Sequence, residues 1–195
     1  MHGNAPDSAS VAVLLIDVIN DMAFPGGERL ARRARSIIPR LVALRERARR
    51  AKIPIIYAND NFGRWRSDFS AQVEHCSRDE VAGRALAEAL KPGPEDYFVL
   101  KPKHSAFYQT CLGLLLEHLG VTTLILGGVT TDSCVTFTAS DAYLRGYALR
   151  VVSDGCTALD ARLHRDALAH LQRSLRADVS TAARVSLRPG SMRRS

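Results

Sequence analysis

Long apolar runs are scarce in this 195-residue sequence. The longest near the N-terminus, Val11 to Ile16, is cut off by Asp17 and has no basic flank, which excludes both a signal peptide and a membrane span there. A cytoplasmic location without membrane contact is expected. Cysteine pairs are missing too. Cys76, Cys111, Cys134 and Cys156 are spread over the chain with no CxxC, which argues against a disulfide scaffold and a structural zinc site, so reduced thiols are expected. No stretch reads as a linker between two folding units, and the length suits one substantial core. The formal charge of +7 invites a nucleic-acid reading. The arginines are scattered, however, and their largest group, from Arg29 to Arg50, has the helical spacing of a solvated face; no nucleic-acid partner is expected.

What is present alternates. Val11 to Asp17 is a nearly continuous apolar run of strand length, as in a strand buried on both faces of a parallel sheet. Helical spacing follows from Glu28 to Ala51, with Pro39 as a possible bend. A strand at Ile53 to Ala58 leads to a polar stretch with Trp65 and Phe69, a short helical pattern from Glu80 to Leu90, and a strand at Tyr97 to Leu100. Then come a helix from Phe107 to Leu119, a strand at Thr122 to Leu126, a Gly127-Gly128 turn, and a helix from about Ser133 to Arg145. A strand from Ala148 to Ser153, a helix from Ala161 to Leu175 and a short strand near Asp178 complete the pattern. The expected fold is α/β: a single doubly wound three-layer α/β/α domain with a mainly parallel six-stranded sheet, spanning residues 11–186. Residues 1–10 read as a flexible N-terminus. Residues 187–195, with Pro189, Gly190 and terminal arginines, read as a mobile basic tail or as a contact for a neighbouring subunit.

Ligands of such sheets bind outside the carboxyl ends of the strands, so polar residues just after strands are where chemistry is sought. Asp17 ends the first strand, Lys101 the third, and the fourth runs through Gly127-Gly128-Val129-Thr130-Thr131-Asp132-Ser133 into Cys134. Taken singly, Asp17 could cap a helix, Lys101 could be solvated and Cys134 could be a small buried hydrophobe. Their joint placement on one sheet edge favours a nucleophile. A thiol at a helix start is expected to have its pKa lowered by the dipole and by Lys101, with a hydrogen-bonded carboxylate to take its proton and backbone N–H groups of the turn to hold an oxyanion. Cys156, in Ser153-Asp154-Gly155-Cys156, is the competing thiol; it, Cys76 and Cys111 are read as structural.

At these residues the sequence resembles the isochorismatase-like cysteine hydrolases, a group that includes nicotinamidases, N-carbamoylsarcosine amidohydrolases, ureidoacrylate hydrolases and isochorismatases. The resemblance is carried by Leu14-Leu15-Ile16-Asp17 with Phe24 after it, by Leu100-Lys101-Pro102-Lys103-His104-Ser105-Ala106-Phe107, and by Gly128-Val129-Thr130-Thr131-Asp132-Ser133-Cys134-Val135. The block Thr138 to Tyr147 and Ser153-Asp154 extend it over nearly the whole chain. It implies a catalytic triad of Asp17, Lys101 and Cys134, with Lys103 as the fallback for the lysine. It further implies a cis peptide at Val129–Thr130, an oxyanion hole from the N–H groups of Thr130 and Cys134, and association into homo-oligomers.

Nicotinamidases add a metal site with an aspartate and two histidines. The corresponding Asn59-Asp60-Asn61-Phe62-Gly63-Arg64-Trp65 lacks the histidines, so no metal and no cofactor are expected. Phe24, Asn59, Trp65, Phe107, Tyr108 and Phe137 are candidates for binding a small planar substrate, with core packing as their alternative role. The implied reaction is metal-independent hydrolysis of a C–N bond in a small amide, ureide or carbamoyl compound through a thioester on Cys134. Two rival readings stand beside it: hydrolysis of a vinyl ether with Asp17 as acid, and a non-catalytic scaffold that meets an acidic partner through the arginine-rich helix.

Overall fold

A computed structural model describes residues 8–63 and 68–190. Six strands form one sheet in the order β3-β2-β1-β4-β5-β6, and every neighbouring pair is parallel. They are β1 (Val11–Ile16), β2 (Ile55–Asp60), β3 (Tyr97–Lys101), β4 (Thr123–Val129), β5 (Ala148–Thr157) and β6 (Asp178–Ser180). The alternation of side chains along β1 divides the core: Val11, Val13 and Leu15 face one helical layer, Ala12, Leu14 and Ile16 the other. On the first face lie α1 (Gly27–Ala34), α2 (Ile38–Arg50), α3 (Phe69–Cys76) and α4 (Arg84–Ala89). On the second lie α5 (Leu112–Leu119), α6 (Thr136–Leu144) and α7 (Ala161–Ser174). Both faces of the sheet are covered, which is why its central strands read as unbroken apolar runs.

Several elements differ from the sequence reading. The single helix expected over Glu28 to Ala51 is two, because Pro39 occupies the first turn of α2, the place where a missing N–H costs nothing. Within the polar stretch after β2, α3 was not anticipated: Asp68 caps it by accepting from the Ala71 N–H at 2.9 Å, and Phe69, Val73 and Cys76 form its buried stripe. Gly127 and Gly128 belong to β4 and not to a turn. A Cβ on Gly128, whose φ is +124°, would stand 2.0 Å from the Ile16 carbonyl oxygen, so a side chain there would drive β4 away from β1. Cys156 lies inside β5, which runs four residues past Ser153, and it is buried. Part of the supposed tail is also fixed. Leu187 packs against the core, the Arg150 guanidinium donates to the carbonyls of Ser186 and Arg188, and the Gly190 N–H donates to Thr123 Oγ1 at 2.9 Å. No helix among the described residues is long and apolar enough to cross a membrane.

Candidate active site

Strand order reverses between β1 and β4, with β2 and β3 on one side and β5 and β6 on the other. Crossover connections leave in opposite directions there and open a crevice at the carboxyl edge. Asp17 leaves β1 into that crevice with φ +51°, a left-handed turn that aspartate tolerates better than most residues. Its backbone N–H donates to the Ala58 carbonyl at 2.8 Å, and its Oδ1 accepts from the Asp60 N–H at 2.8 Å. From β4, the chain passes through a cis Val129–Thr130 peptide into a π-helical turn, Thr131–Val135, which carries Cys134 and continues as α6. The Thr130 carbonyl accepts from the N–H groups of Ser133 and Val135, while Thr131 Oγ1 lies 2.7 Å from His164 Nδ1 on α7.

Lys101, at the end of β3, has no exposed surface, and its ammonium joins the other two groups. Nζ lies 2.8 Å from Asp17 Oδ2, 3.6 Å from Cys134 Sγ and 4.0 Å from Asp60 Oδ2, and donates to the Lys103 carbonyl at 3.2 Å. Lys103 thus offers its backbone, and its own side chain is exposed. Lys101 thus bridges Asp17 and Cys134, donating to both. Burial raises the Asp17 carboxyl above the usual range against the pull of Lys101, which makes it a stronger base than an exposed carboxylate. Burial opposes the charge on Lys101, but Asp17 and Cys134 outweigh it and its pKa is raised.

The thiol contradicts the expectation of a lowered pKa: burial, then the Asp17 charge, push Cys134 up to about 12, and Lys101 offsets only part of this. At rest the sulfur is therefore protonated, and a thiolate forms only if its proton moves to a neighbour. Cys76 and Cys156 are likewise pushed up to about 12, burial being the first cause, and the hydrogen bonds and ion pairs of this cluster include neither.

The expected substrate residues scatter. Phe137, exposed in the first turn of α6, stacks on His104 with ring centroids 5.4 Å apart, and His104 Nδ1 is 3.7 Å from Cys134 Sγ. Phe107 is a largely buried side chain packed against Tyr147, with the Arg145 guanidinium 5.0 Å over its ring, and it lines a hollow with Thr110, Leu114 and Glu117 that none of the three central residues lines. Asn59 is buried completely, and its Oδ1 accepts from the Ile19 N–H at 2.9 Å, so it holds the chain leaving Asp17 and lines no open surface. Phe24 is half-exposed in a hollow with Asp21 and His75 that none of the three central residues lines. Tyr108 is exposed on the turn before α5, and Trp65 lies outside the described residues.

Two neighbours of the cluster carried no role in the sequence reading. Asp60 stood only in the metal comparison, and His104 sat inside a quoted motif with nothing to mark its direction. Among the described residues, no group of three or more His, Cys, Asp or Glu side chains is gathered to hold a metal ion.

Residues 11–184 match the sequence profile of the isochorismatase domain. The chain belongs to the isochorismatase family. It is 36% identical over 177 residues to the uncharacterized isochorismatase family protein YaaI of Bacillus subtilis, covering 91% of this chain and 97% of that one. A ureidoacrylate amidohydrolase, RutB, of Methylobacterium radiotolerans is 30% identical, over 86% of this chain and 75% of its own. The fold also superposes on the crystal structure of N-carbamoylsarcosine amidase from Thermoplasma acidophilum with a TM-score of 0.68 at 26% identity, over 91% of this chain and 99% of that one. As an isochorismatase-family protein the chain is a hydrolase of the α/β class, with amidases among its relatives.

Proposed function

We propose that this hydrolase cleaves a C–N bond of a small non-peptide amide, ureide or carbamoyl compound, with Cys134 as nucleophile, Asp17 as its proton partner and Lys101 holding the two in register. The observation that carries this reading is the single contact cluster in which the Lys101 ammonium reaches both the buried Asp17 carboxyl, at 2.8 Å, and the Cys134 sulfur, at 3.6 Å. The amidase names among the relatives support the choice of bond.

In the first half-reaction the thiol proton passes to Asp17 as the sulfur attacks the carbonyl carbon, because a thiol with a pKa near 12 supplies almost no thiolate at neutral pH by itself. Lys101 offsets the negative charge that builds on the sulfur. The backbone N–H groups of Thr130, which precedes the π-turn, and of Cys134, within it, stabilise the oxyanion. As the C–N bond breaks, Asp17 returns the proton to the departing nitrogen. Water deprotonated by the same carboxylate then hydrolyses the thioester and frees Cys134. No step calls on a metal or an organic cofactor.

A screen of small amides, ureides and carbamoyl compounds for ammonia release identifies the substrate class. Cys134→Ala is expected to lower kcat by more than about a thousandfold with the compound found. Hydrolysis that survives Cys134→Ala but is lost in Asp17→Asn would instead mark vinyl-ether chemistry with Asp17 as acid.

A further inference from the structure

Resting on the nucleophile reading above, we propose that His104 is a further catalytic side chain, donating a hydrogen bond from Nδ1 to the Cys134 sulfur and stabilising the thiolate as it forms. Lys101, with no exposed surface, reaches this sulfur from the core at 3.6 Å, whereas the exposed His104 reaches it from the solvent side, with Nδ1 3.7 Å from Sγ.

The contact is built into the fold. Phe137 is three residues beyond Cys134, and the near-parallel stack of its ring on His104, 21° between planes, ties the imidazole's orientation to the element that carries the nucleophile. The residues that follow His104 are anchored to α6 as well: Ser105 Oγ donates to Asp141 Oδ2, and the Ala106 N–H donates to Thr138 Oγ1 at 3.0 Å. The residue that precedes it, Lys103, is held through its carbonyl by Lys101. An exposed ring with both flanks tied down keeps its place beside the sulfur.

The direction of the bond follows from what already surrounds the thiol. Asp17 is the proton acceptor at the site, so a second acceptor would compete for the same proton. A thiolate, by contrast, has room for several donors and needs them, since burial and Asp17 both work against its charge. Lys101 supplies one donor, and His104, as the Nδ1–H tautomer or as the imidazolium, supplies the other.

The test needs no substrate. Iodoacetamide, an uncharged reagent, alkylates Cys134 as its sulfur displaces iodide; the S–C bond forms as the C–I bond breaks, and the thiol proton passes to Asp17. Mass spectrometry of peptides from the full chain follows Cys134 against the exposed Cys111 as internal reference. His104→Phe, which keeps an aromatic ring against Phe137, is expected to slow Cys134 relative to Cys111 by about tenfold, the worth of one hydrogen bond. His104→Gln, which restores an N–H donor, is expected to recover most of that loss. An unchanged ratio in His104→Phe overturns the proposal. So does a Gln variant as slow as the Phe variant, which would make the imidazole a proton acceptor. Failure of the nucleophile reading shows separately, as amide hydrolysis that survives Cys134→Ala while His104→Phe still slows alkylation.

Discussion

An ammonium with no exposed surface depends on its counter-charge, so Lys101 ties the chemistry of this site to its stability. Asp17→Asn removes the carboxylate 2.8 Å away and leaves Asp60, at 4.0 Å, as the nearest anion. A loss of about 3 kcal/mol is expected from urea denaturation, since breaking a buried pair strands one charge. Asp17→Asn combined with Lys101→Met should recover part of that loss, and a double variant less stable than the single one would contradict the pairing. All three residues of this cluster were legible in the sequence because Asp17 directly follows a strand, Lys101 ends one and Cys134 sits on the turn after a third, and strand ends of a doubly wound sheet converge. Side-chain direction and burial were not. Asn59 looked like a pocket residue and turned inward, Phe107 lines a hollow away from the cluster, His104 carried no mark of its contact with sulfur, and the thiol's raised pKa follows from a burial that helix-start position alone does not reveal.

At the scale of elements, close approach of β1 and β4 places Asp17 and Cys134 together, and Gly128 permits it. Gly128→Ala is expected to cost more than about 2 kcal/mol and to lower hydrolysis, because the new Cβ meets main chain that cannot move aside. Gly113→Ala is the control. Nothing lies within 4 Å of its Cβ position and it sits in α5, so a gain of up to about 0.5 kcal/mol is expected. Equal denaturation midpoints for the two variants would refute this account of the strand contact. The strands were read correctly wherever apolar runs marked them, but β4 and β5 run past their apolar stretches, through glycines and polar residues that gave no strand signal. The eight-residue α3 escaped notice for a similar reason: a stripe of three buried side chains is too short to stand out from a polar stretch. Yet it matters, since Gln72 donates to the Asp60 and Ile19 carbonyls and so braces the end of β2 against the loop that follows Asp17.

Over the whole molecule, three thiols on different elements, Cys76 and Cys156 buried and Cys134 partly so, share a titration that stability must follow. Cys76, Cys134 and Cys156 have folded pKa values pushed from 9.0 up to about 12. Their protonated forms favour the folded chain, so this contribution is complete below pH 9 and is lost as pH rises from about 9 to 12, where the unfolded chain ionises first. Thermal unfolding midpoints should fall across that window, less steeply in Cys156→Ala, measured relative to each protein's own value at pH 8; an identical slope would contradict the linkage. The C-terminal segment bears on stability too. Truncation after Ser186 removes Leu187 from the core and the anchors at Arg188 and Gly190, and is expected to lower the midpoint by several degrees.

The claim on which the rest depends is a covalent bond between Cys134 and the acyl half of the substrate. Rapid-quench mass spectrometry of the intact protein during turnover of an amide found by the ammonia screen tests it directly. The expected result is a transient species heavier by the acyl group, located on the peptide that contains Cys134 and absent from Cys134→Ala. Steady turnover with no adduct at any time, accompanied by undiminished hydrolysis in Cys134→Ala, would contradict it.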